Sequence, residues 1–388
     1  MTVIPWLIAL ALVISLLQAV VYRRYGMRAV SHRRHYSESV VYAGDPVDLV
    51  EEIENAKWLP LPWLQVESMF PVGLRFHSLR EEEIVQGQAH VFHQSLFSLP
   101  PYTRIVRRHH ITCLQRGVYG LQETTLTCGN LLGVTATFVK IEPQARLTVY
   151  PALLSLDDIP LPSHSWQGDL SVRRWTLPDP FTQVGTREYE SGDPLHQINW
   201  KATARSGRLQ VQKRDYTAER HLQICLNVEV SEQMWEAVTD PELIEFGIQC
   251  AATIAQTALA QGMETGFSCN AWIADEEPRF VRSSAQTGDS HLDALLTLMA
   301  RLRMRCNGSF HTLLEEDAEE GVTGRDYLLI SAHQGARLQA AATHLRAMGN
   351  SVEWLPLSHD VLTTPRDGGA RPVESVTSNS SSVVVGMH

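Results

Sequence analysis

The side chains best placed to do chemistry lie between Gly185 and Lys213, in the run GTREYESGDPLHQINWKATARSGRLQVQK. Arg187, Asp193, Lys201 and Arg205 fall close to Tyr189 and Trp200. Such a mixture of charge and aromatic surface can recognise a peptide or an anion. The same residues also fit a structural role, as a capped helix, an aromatic anchor and ion pairs tying the helix to its surroundings. Asp193 is placed to accept backbone N–H bonds as an N-cap, and Pro194 suits a first helical turn. Leu195, Ile198 and Ala202 then share one face. Ser206-Gly207 closes the helix, because glycine tolerates the left-handed C-terminal conformation. Leu209, Val211 and Lys213 alternate with polar residues, as in a half-buried strand.

Other constellations are weaker. His90 and His93 stand three apart in a strand-like run and point to opposite faces, and the neighbours His109 and His110 diverge in the same way. They read as packing or surface histidines rather than metal ligands. The six cysteines, Cys113, Cys128, Cys225, Cys250, Cys269 and Cys306, contain no C-x-x-C pair. A zinc ribbon or a thioredoxin-type motif is therefore not indicated, and small core hydrophobes are the expected role. There is no G-x-x-x-x-G-K-[ST], no H-E-x-x-H and no G-x-S-x-G, so neither a P-loop nor the common hydrolase motifs are present. Catalytic groups that converge only in space leave no such trace.

The elements that must position these residues divide in two. Residues 37–160 carry short β-branched and alternating runs separated by Gly44-Asp45-Pro46 and Pro60-Leu61-Pro62, the pattern of a β-sandwich-like domain. Residues 161–220 read as a connector holding the patterned stretch. From His221 to residue 362, strands alternate with helices, which predicts a doubly wound α/β domain. His221–Val228, Phe267–Ala274, Tyr327–Ile330 and Val352–Leu357 are its strand candidates. Leu243–Ala258, Leu292–Met304 and Ala336–Met348 are its helices, the first capped by Asp240 and Pro241 and stopped by Gly262. Residues 363–388, rich in Ser, Gly and Thr, read as a disordered tail.

At the other end, Val3 to Tyr22 holds twenty residues without a charge, about the length that spans a bilayer core. Arg23, Arg24, Arg28, Arg33 and Arg34 come next, with no acid before Glu38. Residues 1–36 thus read as a transmembrane anchor and a basic juxtamembrane segment, and the positive-inside rule places the rest in the cytoplasm. A cleaved signal peptide is the rival reading. It would need a basic segment ahead of a shorter apolar core. No second apolar run reaches spanning length. The formal net charge of -10 offers no broad basic surface for nucleic acid.

The order Arg187, Glu188, Tyr189, Gly192, Asp193, Pro194, Ile198, Trp200, Lys201, Ala204, Arg205, Gly207, Leu209 and Val211 resembles the bacterial domain-of-unknown-function 58 family. Arg116-Gly117-Val118-Tyr119 with Leu121, the run Cys128 to Gly133, and Val149-Tyr150-Pro151 extend the resemblance over most of residues 20–360. Asn130 and Leu132 stand where the family usually carries Asp and Phe. The resemblance implies a membrane protein with a β domain and a C-terminal domain like von Willebrand factor type A. It further implies association with MoxR-type AAA ATPases and transglutaminase-like membrane proteins in cell-envelope or complex assembly. Many members have two membrane helices, whereas one is read here.

Type A domains often hold Mg²⁺ through D-x-S-x-S after the first strand, and the equivalent residues here are Asn227, Glu229 and Ser231. A neutral amide where a hard cation needs a carboxylate points to a degenerate metal site, and Ser331-Ala332-His333 replaces the later acidic loop. No cofactor is expected. The combined expectation is an α+β multi-domain, single-pass membrane protein acting as a non-enzymatic adaptor or assembly factor. A hydrolase or processing enzyme with a convergent site at Arg187–Arg205 is the competing class, and a metal-dependent type A adhesion module is the alternative among binding proteins.

Overall fold

The computed structural model describes residues 3–71, 73–77, 84–86, 90–130, 133, 136–142, 145–161, 186–188, 200–212, 221–232, 237–273, 276–359 and 384–387. The chain forms two compact units, one built mainly from the first 153 residues and the other from most of residues 154–365.

The first unit opens with helix α1 (Val3–Tyr25), whose apolar side chains from Ile4 to Val20 are mostly exposed. It is long and apolar enough to cross a membrane. Its strands are β1 (Val30–Tyr36), β2 (Val40–Tyr42), β3 (Pro46–Asn55), β4 (Leu61–Pro71), β5 (Leu74–Phe76), β6 (Ile84–Gln86), β7 (His90–Leu99), β8 (Thr103–Cys113), β9 (Gly117–Gly120), β10 (Thr124–Gly129), β11 (Ala136–Ile141) and β12 (Arg146–Tyr150). One antiparallel sheet contains β1, β3 and β8 in that order, with β5 also on β8. A second runs β11-β10-β4-β7-β6, and β2-β12-β9 form a third.

The first two sheets share their interiors. Leu49 of β3, Ile111 of β8 and Phe70 of β4 belong to one buried cluster, and Ile53, Ile105, Val66 and Leu126 to another. This results from alternation: β3 buries every second residue along nearly its whole length, which commits one face to the partner sheet.

Strand β1 corrects the reading of residues 1–36 as anchor and juxtamembrane segment alone. VSHRRHY is basic, but it pairs with β3 and turns His32, Arg34 and Tyr36 inward. Two of these inward side chains, His32 and Arg34, find polar partners. His32 meets Glu51 at 2.9 Å, and Arg34 donates to Thr124 Oγ1 and, at 3.2 Å, to the Gln122 carbonyl. Burying a charge without such partners would be prohibitive.

The second unit carries β13 (Thr186–Glu188), α2 (Trp200–Ser206) and β14 (Gln210–Gln212), with Arg187 opposite Val211 in an antiparallel pair. Gly207 takes φ 70° and its N–H bonds the Thr203 carbonyl at 2.9 Å, the helix stop expected from Ser206-Gly207. Next come β15 (His221–Leu226), α3 (Pro241–Ala260), β16 (Glu264–Cys269), β17 (Ala271–Ile273), β18 (Val281–Gln286), α4 (Asp289–Arg301), β19 (Leu302–Cys306), α5 (Phe310–Glu319), β20 (Arg325–Ser331), α6 (Ala336–Ala347) and β21 (Ser351–Pro356).

The main sheet has the order β18-β16-β15-β20-β21, parallel except for β18. On one face α5 and α6 bury Phe310, Leu313, Leu338 and Leu345 against Cys225, Tyr327 and Leu329. On the other, Gly247 of α3 lets the helix approach Leu226, Ile330 and Leu357 closely. The doubly wound α/β arrangement is therefore present. α3 is apolar enough to cross a membrane by composition, but its apolar side chains pack in this core.

Three local expectations change. The strand read at Phe267–Ala274 breaks at Asn270, whose side chain is fully buried in hydrogen bonds. The helix read to Met304 ends at Arg301, because Leu302-Arg303-Met304-Arg305-Cys306 alternates in burial and pairs with β17 as a strand. Within the tail read as disordered, the β-prone Val384–Met387 forms β22 on the edge of β8. The rest of 363–388 apart from this strand lies outside the described residues.

Candidate functional site

In an open parallel sheet, ligands bind beyond the C-terminal strand ends where the strand order reverses. Here that point lies between β15 and β20, since β15 leads to β16 on one side and its other neighbour is β20. The loop after β15 carries Asn227, Glu229 and Ser231.

Asn227 is fully buried, and its amide is fully engaged. Its Oδ1 accepts from the Glu229 N–H at 2.9 Å and from Asn270 Nδ2 at 3.1 Å. Its Nδ2 donates to Ser331 Oγ at 3.0 Å, with His333 Nε2 at 3.4 Å. Asn270 completes the knot: its Oδ1 accepts from the Val228 N–H at 2.9 Å and its Nδ2 reaches the Gly308 carbonyl at 3.2 Å. Three strand ends and the approach to α5 are thus joined through two asparagines.

Glu229 is buried and accepts from the Phe310 N–H at 2.9 Å, so its carboxylate caps α5. Burial pushes the Glu229 carboxyl up from its ordinary value, with the Phe310 N–H opposing. Glu232 lies against Gly335, the N-cap of α6, where a Cβ would overlap its carboxylate. Glu229, Glu232, Ser309, His311, His333, Arg337 and Leu338 line a cleft of about 230 Å³. Burial holds the His333 imidazole below its ordinary value, while Glu232 pulls it the other way.

The divalent cation implied by the type A resemblance does not fit these residues. Asn227 Oδ1 already accepts two N–H groups, Glu229 caps a helix, and Ser231 is exposed. A hard cation needs several free oxygen ligands. Among the described residues no group of three or more His, Cys, Asp or Glu is arranged to hold a metal.

The other predicted site residues are placed only in part. Arg187 lies on β13, Trp200 and Lys201 open α2, and Arg205 is exposed near its end. Tyr189 and Asp193 lie outside the described residues, as does most of the connector 161–220.

The cysteines are all buried and none forms a disulfide. Burial pushes the Cys113 and Cys306 thiols up to about 11, and Cys225 is raised well above its ordinary value by the same cause. Such thiols are poor nucleophiles.

Sequence reasoning missed Asn270, Ser309, His311 and Arg337. Their only signal was position: each comes after a strand or opens a helix at the same end of the sheet. It also missed a buried polar cluster in the first unit. His32 of β1 and His109 of β8 flank Glu51 of β3, at 2.9 and 3.7 Å. The His93 ring of β7 stands edge-on to His109, 5.9 Å between centroids.

Residues 185–320 match the sequence model of the family described as Protein of unknown function DUF58. A curated relative, described as the uncharacterized protein YeaD of Bacillus subtilis, is 20% identical over 298 residues, covering 76% of this chain and 68% of that one. Among solved structures, a CARDB domain from Pyrococcus furiosus is 13% identical and covers 32% of this chain and 96% of its own, with a TM-score of 0.19. A non-cellulosomal cohesin from Archaeoglobus fulgidus is 11% identical, covering 31% and 89%, at a TM-score of 0.20. Likeness at that level says nothing of shared fold or activity. The DUF58 match contains Asn227, Glu229, Asn270 and the α5 N-terminus, whereas Ser331, His333 and Arg337 lie beyond it.

Proposed function

We propose that this chain is a membrane-anchored, non-enzymatic adaptor or assembly factor, docking a protein partner at the cleft beyond β15 and β20. The observation that carries the reading is the closed hydrogen-bond knot of Asn227, Asn270 and Ser331 beside that cleft. It holds the loops in one arrangement before any partner arrives, which lowers the ordering cost of association. The parallel order with one antiparallel edge strand supports the von Willebrand factor type A-like reading of this unit. The apolar α1 supports anchoring, and the Arg-rich flank supports a cytoplasmic position for the residues C-terminal to it. The partner class implied by the family resemblance is a MoxR-type AAA ATPase, with a transglutaminase-like membrane protein as a further component.

A photo-crosslinking residue at His311, in full-length protein within its own membranes, tests this. The expected product is a crosslink to an AAA ATPase that survives EDTA. A crosslink formed only with free Mg²⁺ would replace this reading with the metal-dependent adhesion module. Failure to crosslink any protein, together with turnover of a small substrate lost on Arg205→Glu, would replace it with the enzyme.

A further inference from the structure

The twenty uncharged residues from Val3 to Tyr22 rise about 30 Å as a helix, the thickness of a bilayer's hydrocarbon core. If α1 spans, Tyr22 marks the edge of that core. The β unit is attached at this level. Tyr22 is buried and its hydroxyl donates to the Pro60 carbonyl at 3.1 Å. Lys57 Nζ donates to the Gly26 carbonyl at 2.8 Å, and the Ala56 N–H to Ala29 at 2.9 Å. Met27 and Val30 pack on the buried cluster containing Ile53 and Leu61. The β3–β4 turn is therefore fixed beside the last turn of α1.

The β7–β8 turn is fixed beside it. Asn55, fully buried, donates through Nδ2 to the Leu59 carbonyl at 3.1 Å and the Pro100 carbonyl at 2.9 Å. The Tyr102 N–H bonds the Lys57 carbonyl at 3.2 Å. From these two anchored turns Trp58 projects 70% exposed and Tyr102 54% exposed. Tyr25, in the last turn of α1 with Arg28 stacked 5.3 Å from its ring centre, is exposed as well.

Backbone strain marks the same place. Among the described residues the non-glycine positions with positive φ are Ala29 at 51° and Tyr102 at 53°, one at the helix exit and one in the turn. Glycine would take that conformation more easily. A tyrosine kept there, with its ring in solvent, indicates a use for the ring.

We propose that Trp58 and Tyr102 sit in the headgroup region of the bilayer, so that the β3–β4 and β7–β8 turns rest the β unit on the membrane surface. Tryptophan and tyrosine favour that region because their rings are amphipathic. The occupant of this surface is the lipid interface itself, fixed by the depth at which Tyr22 and Pro60 meet. The proposal rests on α1 spanning the membrane.

The test is spin-label accessibility in full-length protein reconstituted into vesicles of equal parts phosphatidylethanolamine and phosphatidylglycerol. The native cysteines are buried, so labels report added ones. Ala56→Cys places a label in the β3–β4 turn with both aromatics intact. Leu17→Cys reports the span, and Glu38→Cys reports the opposite end of β1. The expected result is oxygen access at residue 17, nickel-chelate access at residue 38, and nickel access at residue 56 several-fold below that at 38. Replacing Trp58 and Tyr102 by serine should then raise nickel access at 56. If 56 matches 38 while 17 is in lipid, the span stands and the docking is overturned. If 56 is sheltered from both reagents, a protein covers the turns and the lipid proposal is overturned. If 17 is as exposed as 38, the span itself fails and the proposal falls with it.

Discussion

Glu51 shows how much one buried carboxylate can hold. It lies in β3 opposite Arg34 on one side and Arg107 on the other, with His32 at 2.9 Å and His109 at 3.7 Å from its oxygens. Burial alone would push its carboxyl up, but the two histidines outweigh that and hold it well below the usual carboxylate range. A depressed carboxyl stabilises the fold fully above the unfolded value of about 4.3, and the benefit fades as pH falls toward the folded value. Glu51→Gln should therefore cost about 3 kcal/mol at pH 7, with the gap to the parent narrowing at pH 3. Urea denaturation at the two pH values checks this, and a gap that widens on acidification would contradict it. Little of this was legible in sequence. The divergence of His109 from His110 was: one is buried, and the other faces Asp48 at the surface. The meeting of His32, His93 and His109 was not, because residue spacing on one strand carries no information about which other strands lie beside it.

At the scale of elements, helix starts divide by where their caps come from. Asp240 caps α3 from the adjacent position, accepting from the Leu243 N–H at 3.1 Å, and the Asp-Pro pair announced it. α5 begins after Ser309, whose side chain makes no capping bond. Its carboxylate comes from Glu229, far away in sequence, so neither the helix nor its cap was visible locally. The acidic group suits the positive end of the helix dipole. Glu229→Ala should cost about 1–2 kcal/mol, as lost caps do. The loss should appear as faster hydrogen exchange in the first turn of α5, at Phe310–Leu313, with the α3 amides unchanged. Equal protection in both helices would mean that Glu229 does not hold α5. β1 failed to declare itself for a related reason: its inward positions are polar, so the usual apolar alternation is absent while the geometry of a strand is kept.

At the scale of the molecule, the α/β unit was legible in outline because period and punctuation agree there: Gly262 and Gly349 stop helices with φ of 74° and 90°, and buried strands read as apolar runs. The first segment was legible by length and composition as a helix able to cross a membrane, but not as a structural part of the β unit. α1's last turn inserts Tyr22 against Pro60, and Gly26 accepts Lys57, so removing the whole helix removes part of a folded core as well as the proposed anchor. Two truncations separate these roles. One lacking residues 1–18 loses the span and keeps Tyr22; one lacking residues 1–25 loses Tyr22 too. Burial of a tyrosine and its hydrogen bond are together worth about 2–3 kcal/mol. The longer deletion should therefore unfold its β unit at lower urea than the shorter, with the α/β unit's own transition unmoved. Coincident β-unit transitions would make α1 a tether that the fold does not use. A lowered midpoint confined to the longer deletion would mean that α1 is held by, and holds, the sheets of the β unit.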